Sequence, residues 1–251
     1  LALEIVVPLG ILALLIVWSA GSTSFYFPPV TDMLVTFKQT WLFDRFASDV
    51  LPSLCRLAAG YALAAAIGIG AGVVIGSVPL AARAAEPIVE FLRAIPPPAL
   101  IPFGILVLGI GDPMKIFVIT VVCLWPVLLN TVEGVRSVDE VLAETCRAYG
   151  VGGLARLRHL VLRSASPQIV TGMRQALSIA IILMVISEMF AASNGLGFTI
   201  VQFQRSFAIP EMWSGVLLLG LLGFALSLLF RLAENRVLAW YHGLRRAQRN
   251  T

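Results

Sequence analysis

Residues 137–167 read SVDEVLAETCRAYGVGGLARLRHLVLRSASP, a polar stretch set between two long apolar tracts. Ser137-Val-Asp-Glu140 has the form of a capping box, in which a Ser hydroxyl and a Glu carboxylate satisfy the exposed amides of a helix start. A helix is expected from there, with Leu142, Cys146 and Tyr149 on one side and Glu140, Glu144 and Arg147 at polar positions. Gly150-Val-Gly-Gly153 can supply the positive φ of a helix stop. A second helix then runs from Leu154, with Leu157 and Val161 apolar and Arg156, Arg158 and Arg163 polar, until Pro167 opens the next apolar tract. The pattern predicts a compact helix-turn-helix, and a plain connecting hairpin fits the same residues.

The surroundings of this segment are those of a membrane protein. Of 251 residues, 59% are hydrophobic and 13% are charged, whereas ordinary soluble domains are about a quarter charged. The charges fall in short breaks between apolar tracts, which leaves no room for a separate soluble enzyme domain. About 20 apolar residues cross a bilayer, and such tracts lie at 4–20, 53–77, 91–110, 114–132, 168–192 and 212–234. The expectation is an all-α membrane protein, one permease-sized domain over 1–251, with six spans. Pro96-Pro97-Pro98 and Pro102 remove helix donors from the third span and must kink or break it. The first tract lacks a basic start and is read as a span rather than a signal peptide.

Basic residues of membrane proteins gather on the cytoplasmic side. With both ends inside, 13 of the 18 Lys and Arg residues fall at cytoplasmic span ends, leaving Lys38, Arg45, Arg56, Lys115 and Arg205 outside. The predicted topology is N-in and C-in, with residues 137–167 inside. That asymmetry accounts for the net charge of +4 without nucleic acid, for which no basic run interleaved with stacking aromatics is present. In the outer segment, Leu34, Phe37, Trp41, Leu42 and Phe46 follow helical spacing, predicting a surface helix from Thr31 to about Ala47. Gly60, Ala64, Gly68, Gly72 and Gly76 form a four-residue ladder on the second span, the pattern of a close helix-helix seam.

Catalytic and metal motifs are missing from the sequence. There is no GxxxxGK[ST] phosphate loop and no HExxH, and His159 and His242 both fall at cytoplasmic positions. Cys55, Cys123 and Cys146 suggest neither a disulfide framework nor a metal site. Arg56 and Glu188 reach similar depth from the outer side, in the second and fifth spans, and charges at such depth are costly enough to warrant a pairing or pathway reading. Asn130, Met184 and Ser187 are further inward-facing candidates for the solute pathway or gating, with helix packing as the competing role. Trp125-Pro126 is expected to kink the fourth span.

Glu144-Thr-Cys, then Gly150, then Leu160-Val-Leu162 resembles the EAA loop of bacterial ABC importer permeases, whose pattern is Glu-Ala-Ala, three residues, Gly, nine residues, Ile-x-Leu-Pro. Glu144, Gly150 and Leu162 fall in register; Thr145, Cys146, Leu160 and Arg163 depart from it. Phe91-Leu-Arg-Ala-Ile-Pro-Pro97, Gly109-Ile-Gly-Asp112 with Lys115, Asn130-Thr-Val-Glu-Gly134 and Glu188 through Gly197 are similar to the nitrate/sulfonate/taurine branch of that superfamily. The resemblance spans roughly residues 50 to 240. It implies a six-helix type I permease fold, like that of methionine-importer permeases, with cytoplasmic coupling helices. It also implies a non-catalytic subunit without a cofactor of its own, since ATP and Mg belong to a partner. The implied partners are a second copy of the chain, two ATPase subunits, an extracytoplasmic solute-binding protein and membrane lipid. ATPase docking would then fall to Glu140, Glu144, Arg147, Tyr149, Gly150, Leu154, Leu160 and Leu162. The solute would be a small, anionic one of the sulfonate, taurine or nitrate class. A permease for another solute, such as a thiamine or flavin precursor, fits the same motifs. A secondary transporter would need inverted halves and midplane acids, which are not visible.

Overall fold

The computed structural model describes Ser19, residues 24–190, residues 192–241 and Gly243. The tract 4–20, apart from Ser19, lies outside the described residues. The described residues are mostly helical, with no strand among them. In chain order the helices are α1 (Val30–Gln39), α2 (Leu51–Ser77), α3 (Pro79–Arg93), α4 (Leu100–Leu108), α5 (Asp112–Arg136), α6 (Glu140–Ala148), α7 (Gly153–Arg156), α8 (Leu162–Phe190), α9 (Leu196–Arg205) and α10 (Ile209–Val237). The chain groups into two compact units, a smaller one of Leu1–Cys55 with Val185–Gly223 and a larger one of Arg56–Met184 with Phe224–Thr251.

In the smaller unit, the expected outer helix keeps α-geometry only to Gln39. It continues as wider π-type turns, Thr40–Asp44 and Phe46–Val50. The wider turns change the register after Gln39, and Trp41, Asp49 and Val50 become buried while Leu34, Leu42 and Phe46 stay exposed. Trp41 is the anchor. Its Nε1 donates to Ser214 Oγ at 2.9 Å, its ring meets Phe203 edge-on, and Gly215 leaves space for it, since a Cβ there would stand 3.0 Å from the indole.

The larger unit is built around α5, which is buried along most of its length. The glycine ladder of α2 lies on it with a constant offset. A Cβ on Gly60, Gly68, Gly72 or Gly76 would come within 2.6–2.9 Å of the side chains of Ile119, Val127, Thr131 and Val135 respectively. Because partner numbers rise together, α2 and α5 are parallel. On its other side α5 meets α8 antiparallel: Cys123 Sγ donates to Ala176 O, Gly172 abuts Pro126 and Gly134 abuts Ala165. α5 runs unbroken through Pro126.

Parallel neighbours demand a return crossing between them. That return is made by α3 and α4, which are bent by 84° at the break before Pro97. The third span is therefore broken at its prolines into two shorter helices, as the sequence led one to expect, and its first piece starts earlier than residue 91, at Pro79. Pro96-Pro97-Pro98 cannot donate to the preceding turn, and only a 3₁₀ turn at Pro97–Ala99 bridges the gap. α2, α5, the continuous Gly153–Phe190 segment and α10 are each long and apolar enough to cross a membrane, and the bent pair makes up to five crossings among the described residues.

Two local expectations are corrected. The start of α6 is capped by Asp139, whose Oδ1 accepts the Leu142 N–H at 3.0 Å, while the Ser137 hydroxyl turns back to Gly134 O. Asp139 sits in extended backbone one residue before Glu140, the position from which a carboxylate reaches the third amide. Pro167 does not open a new helix either. α7 passes through a π-type turn, Leu157–Val161, into α8, which carries Pro167 in its interior; the carbonyl of Arg163, deprived of the Pro167 N–H, accepts the Ser166 hydroxyl at 2.8 Å instead.

Candidate functional site

The α6–α7 elbow projects from the larger unit. No residue of α6 or α7 is buried. Gly150, at φ 68°, ends α6 with a pair of bonds in which its own N–H donates to Arg147 O and the Val151 N–H donates to Cys146 O. Tyr149 and Leu154 are 81% and 77% exposed, and Val141 and Leu142 are exposed beside them. Glu144 and Arg147 are exposed and face each other at 3.8 Å across one turn, and Glu140 is exposed in the first turn. The departures from the EAA pattern are locally satisfied: Thr145 donates to Val141 O at 2.7 Å, and the Arg163 guanidinium lies 5.2 Å from the centre of the Trp240 ring. Leu160 and Leu162 differ from the other residues expected at a docking surface. Leu160 is buried, and Leu162 packs against Val135, Ala165 and Ile169. They root the elbow in the bundle, because helical phase after Val161 turns that face toward α5.

The opposite end of the α2/α5 pair carries a charge cluster of two buried cations and a half-exposed carboxylate, Asp112. Arg56 Nε donates to Asp112 Oδ1 at 2.7 Å, and Lys115 Nζ lies 3.7 Å from the same oxygen. Arg56 and Lys115 are 3% and 2% exposed. Asp112, the first residue of α5, was not singled out as a site residue in the sequence; its place in Gly109-Ile-Gly-Asp112 beside Lys115 was the available signal. Further along, Asn130 donates to Pro126 O at 2.8 Å and to Gln175 Oε1 at 3.3 Å, tying α5 to α8, and Met184 is 2% exposed.

In the smaller unit, Glu188 and the fully buried Ser187 sit at the end of α8. Glu188 accepts the Gly197 N–H at 3.0 Å, and Ser53 Oγ lies 2.7 and 2.8 Å from its two oxygens. Ser53 Oγ also accepts the Leu196 N–H at 2.9 Å. Asp49 Oδ1 takes the Gly195 N–H and the Thr199 hydroxyl, each at 2.9 Å. Gly195 has no side chain to cap α9, so two carboxylates and a hydroxyl from remote segments take its first amides. The signal for these partners was the Gly-Leu-Gly start of a helix without a Ser, Thr, Asp or Asn at its cap. Asp49, Ser53 and Thr199 themselves carry no local mark.

Residues 64–239 match the family described as the binding-protein-dependent transport system inner membrane component. The chain belongs to that family. It is 32% identical over 213 residues to a probable ABC transporter permease protein of Brucella melitensis, covering 85% of this chain and 87% of the other. It is 31% identical over 235 residues to the bicarbonate transport system permease protein of Synechocystis, covering 87% and 83%, and 28% identical over 252 residues to the taurine transport system permease protein of Escherichia coli, covering 96% and 92%. The fold is similar to the inward-facing MetNI methionine ABC transporter, with a TM-score of 0.65 and 21% identity over 76% of this chain and 93% of that one. The chain is thus a multi-pass membrane permease component of an ABC importer, of the branch that holds the nitrate, sulfonate and taurine permeases.

Proposed function

We propose that this permease forms, with a second copy of itself, the pathway by which a small anionic solute of the sulfonate, taurine or nitrate class passes from an extracytoplasmic binding protein to the cytoplasm. ATP is hydrolysed by separate subunits that dock on the α6–α7 elbow, and this chain supplies no catalytic group. The observation that carries the reading is the elbow itself: a helix pair with Tyr149 and Leu154 almost fully exposed, ended by a formed turn and rooted by the buried Leu160. Exposed apolar side chains on an ordered polar helix are the ordinary makeup of a docking surface.

The second arm of the elbow, α7, is continuous with the span helix from Gly153 to Phe190. A push that a closing ATPase pair gives to α6 therefore passes one formed turn at Gly150 and then reaches α8 through backbone hydrogen bonds, which suits a lever. The side on which the elbow lies follows from charge: Arg83 and Arg136 line one cavity at its end of α2 and α5, and Arg147, Arg156, Arg158 and Arg163 belong to the elbow region. This supports the N-in, C-in orientation with the elbow in the cytoplasm. Glu188 and Asp49 shape the outer-side unit, and Arg56 with Asp112 and Lys115 holds the outer end of α2 and α5.

The test is reconstitution of the permease with its ATPase and binding protein in liposomes. Uptake of taurine, an alkanesulfonate or nitrate, with matching stimulation of ATP hydrolysis, is expected. Transport that persists without any ATPase subunit sinks the proposal in favour of a secondary carrier, and stimulation by a thiamine or flavin precursor alone sinks the solute class.

A further inference from the structure

In the larger unit, α8 and α10 leave a groove between them with a cavity of about 520 Å³. Arg174, Ser178, Ser227, Arg231, Glu234 and Asn235 line it. None of these residues belongs to the elbow or to the pathway candidates singled out in the sequence. Arg174 stands six residues, about 9 Å, into the apolar tract 168–192, and its side chain is 58% exposed. A guanidinium turned toward hydrocarbon on a span helix is strongly disfavoured, so the groove faces water.

The charges do not cancel. Arg174 is paired with Glu234, while Arg231 makes no ion pair among the described residues. The groove keeps one positive charge beside two hydroxyls and a carboxamide. A guanidinium with neutral donors around it matches an oxyanion, because its fork donates two parallel hydrogen bonds to adjacent oxygens. The volume exceeds that of a bare inorganic ion and falls in the range of organic-ligand pockets.

We infer that the α8–α10 groove is an oxyanion site, held chiefly by Arg231 with Ser178, Ser227 and Asn235, for a ligand of the sulfonate or phosphate-ester type. Two sources share that chemistry: the transported solute on its way to the cytoplasm, and the phosphate of an anionic lipid headgroup. Glu234 sets the affinity by occupying Arg174. The choice of a sulfonate probe rests on the solute class proposed above.

The experiment uses the full permease–ATPase complex in nanodiscs, without binding protein, and measures equilibrium binding of labelled ethanesulfonate in phosphatidylcholine alone and with phosphatidylglycerol added. Arg231→Gln is expected to weaken binding about tenfold, the worth of one charge-assisted pair, with Arg231→Lys weakening it less. Glu234→Gln is expected to tighten binding by freeing Arg174, an effect that a purely structural ion pair would not produce. Phosphatidylglycerol that displaces ethanesulfonate, and that native mass spectra show retained by the unaltered complex but lost from Arg231→Gln, supports the site with the lipid headgroup as occupant. Absence of both probes from the unaltered complex, ethanesulfonate binding indifferent to Arg231→Gln, or a Glu234→Gln variant that loses as much affinity as Arg231→Gln overturns the inference. ATPase retention is read on the same samples. Its loss from the unaltered complex counts against the proposed function, whereas anion binding that ignores Arg231 in a complex that keeps its ATPase counts against this site alone.

Discussion

The start of α9 and the α6–α7 elbow are both short polar interruptions between apolar helices, and they solve the problem of exposed backbone in opposite ways. At α9, remote side chains close over the amides: Asp49, Ser53, Glu188 and Thr199 are each at most 3% exposed, and each has its partner inside the smaller unit. At the elbow every cap is local, from Asp139 at one end to Gly150 at the other, and no residue of α6 is buried. A closed polar knot contributes to the stability of its own unit. A locally capped, uncovered helix contributes little to the bundle and keeps its apolar side chains for another molecule. Substitutions should therefore divide sharply, with stability carried by the knot and the seam, and assembly carried by the elbow.

The largest effect is expected from Glu188→Ala, which strands the buried Gly197 N–H and takes one of its two acceptors from the Ser53 hydroxyl, leaving it the Asp49 carbonyl, at a cost on the order of 3 kcal/mol. Thermal unfolding of the detergent-purified permease should show a large drop, and an unchanged melting temperature would break the assignment of the knot. Gly72→Leu comes next: a side chain there runs into Thr131, and overpacking of such a seam costs about 1–3 kcal/mol. Gly70→Ala is its control, because a Cβ at Gly70 meets nothing within 4 Å, and its melting temperature should stay put. Gly150→Asp should cost about 1 kcal/mol for the left-handed backbone, with open space around the new side chain. Its marked consequence is loss of the ATPase in co-purification; a variant that keeps its motor would show that the turn does not set the docking surface. Tyr149→Ala with Leu154→Ala should leave stability within about 0.5 kcal/mol yet weaken ATPase association about tenfold, as removal of exposed anchors does. Equal loss of stability and association would erase the contrast between the two regions.

What could be read in advance follows the range of each interaction. The seam was legible because its cause is periodic: small residues every four positions from Gly60 to Gly76 leave no other face for a neighbour, although the partner helix and its parallel direction were not written there. The Gly150 turn was legible because the need for positive φ is local. The cap of α6 was misassigned within two residues, since Ser137 and Asp139 both suit a cap and only the backbone decides which carboxylate or hydroxyl reaches the amide. The third span was expected to kink or break, but the 84° between its parts depends on packing. The contacts of Glu188 with Ser53 and of Gly195 with Asp49 were out of reach, because Ser53 and Asp49 lie more than 130 positions earlier. Leu160 and Leu162 match a family pattern in which position alone does not distinguish an anchor from a contact.

The meshing of α2 with α5 also limits how this protein can change shape. Each glycine notch receives one side chain, at Ile119, Val127, Thr131 and Val135, so a slide of α2 along α5 by less than one four-residue step, about 6 Å, drives a branched side chain onto a helix ridge. Such a pair works like a toothed rack: it keeps its register or jumps a whole tooth. In the transport cycle proposed above, alternation between the two faces of the membrane would fall to helices that have no such teeth, with the two meshed helices travelling as a single beam.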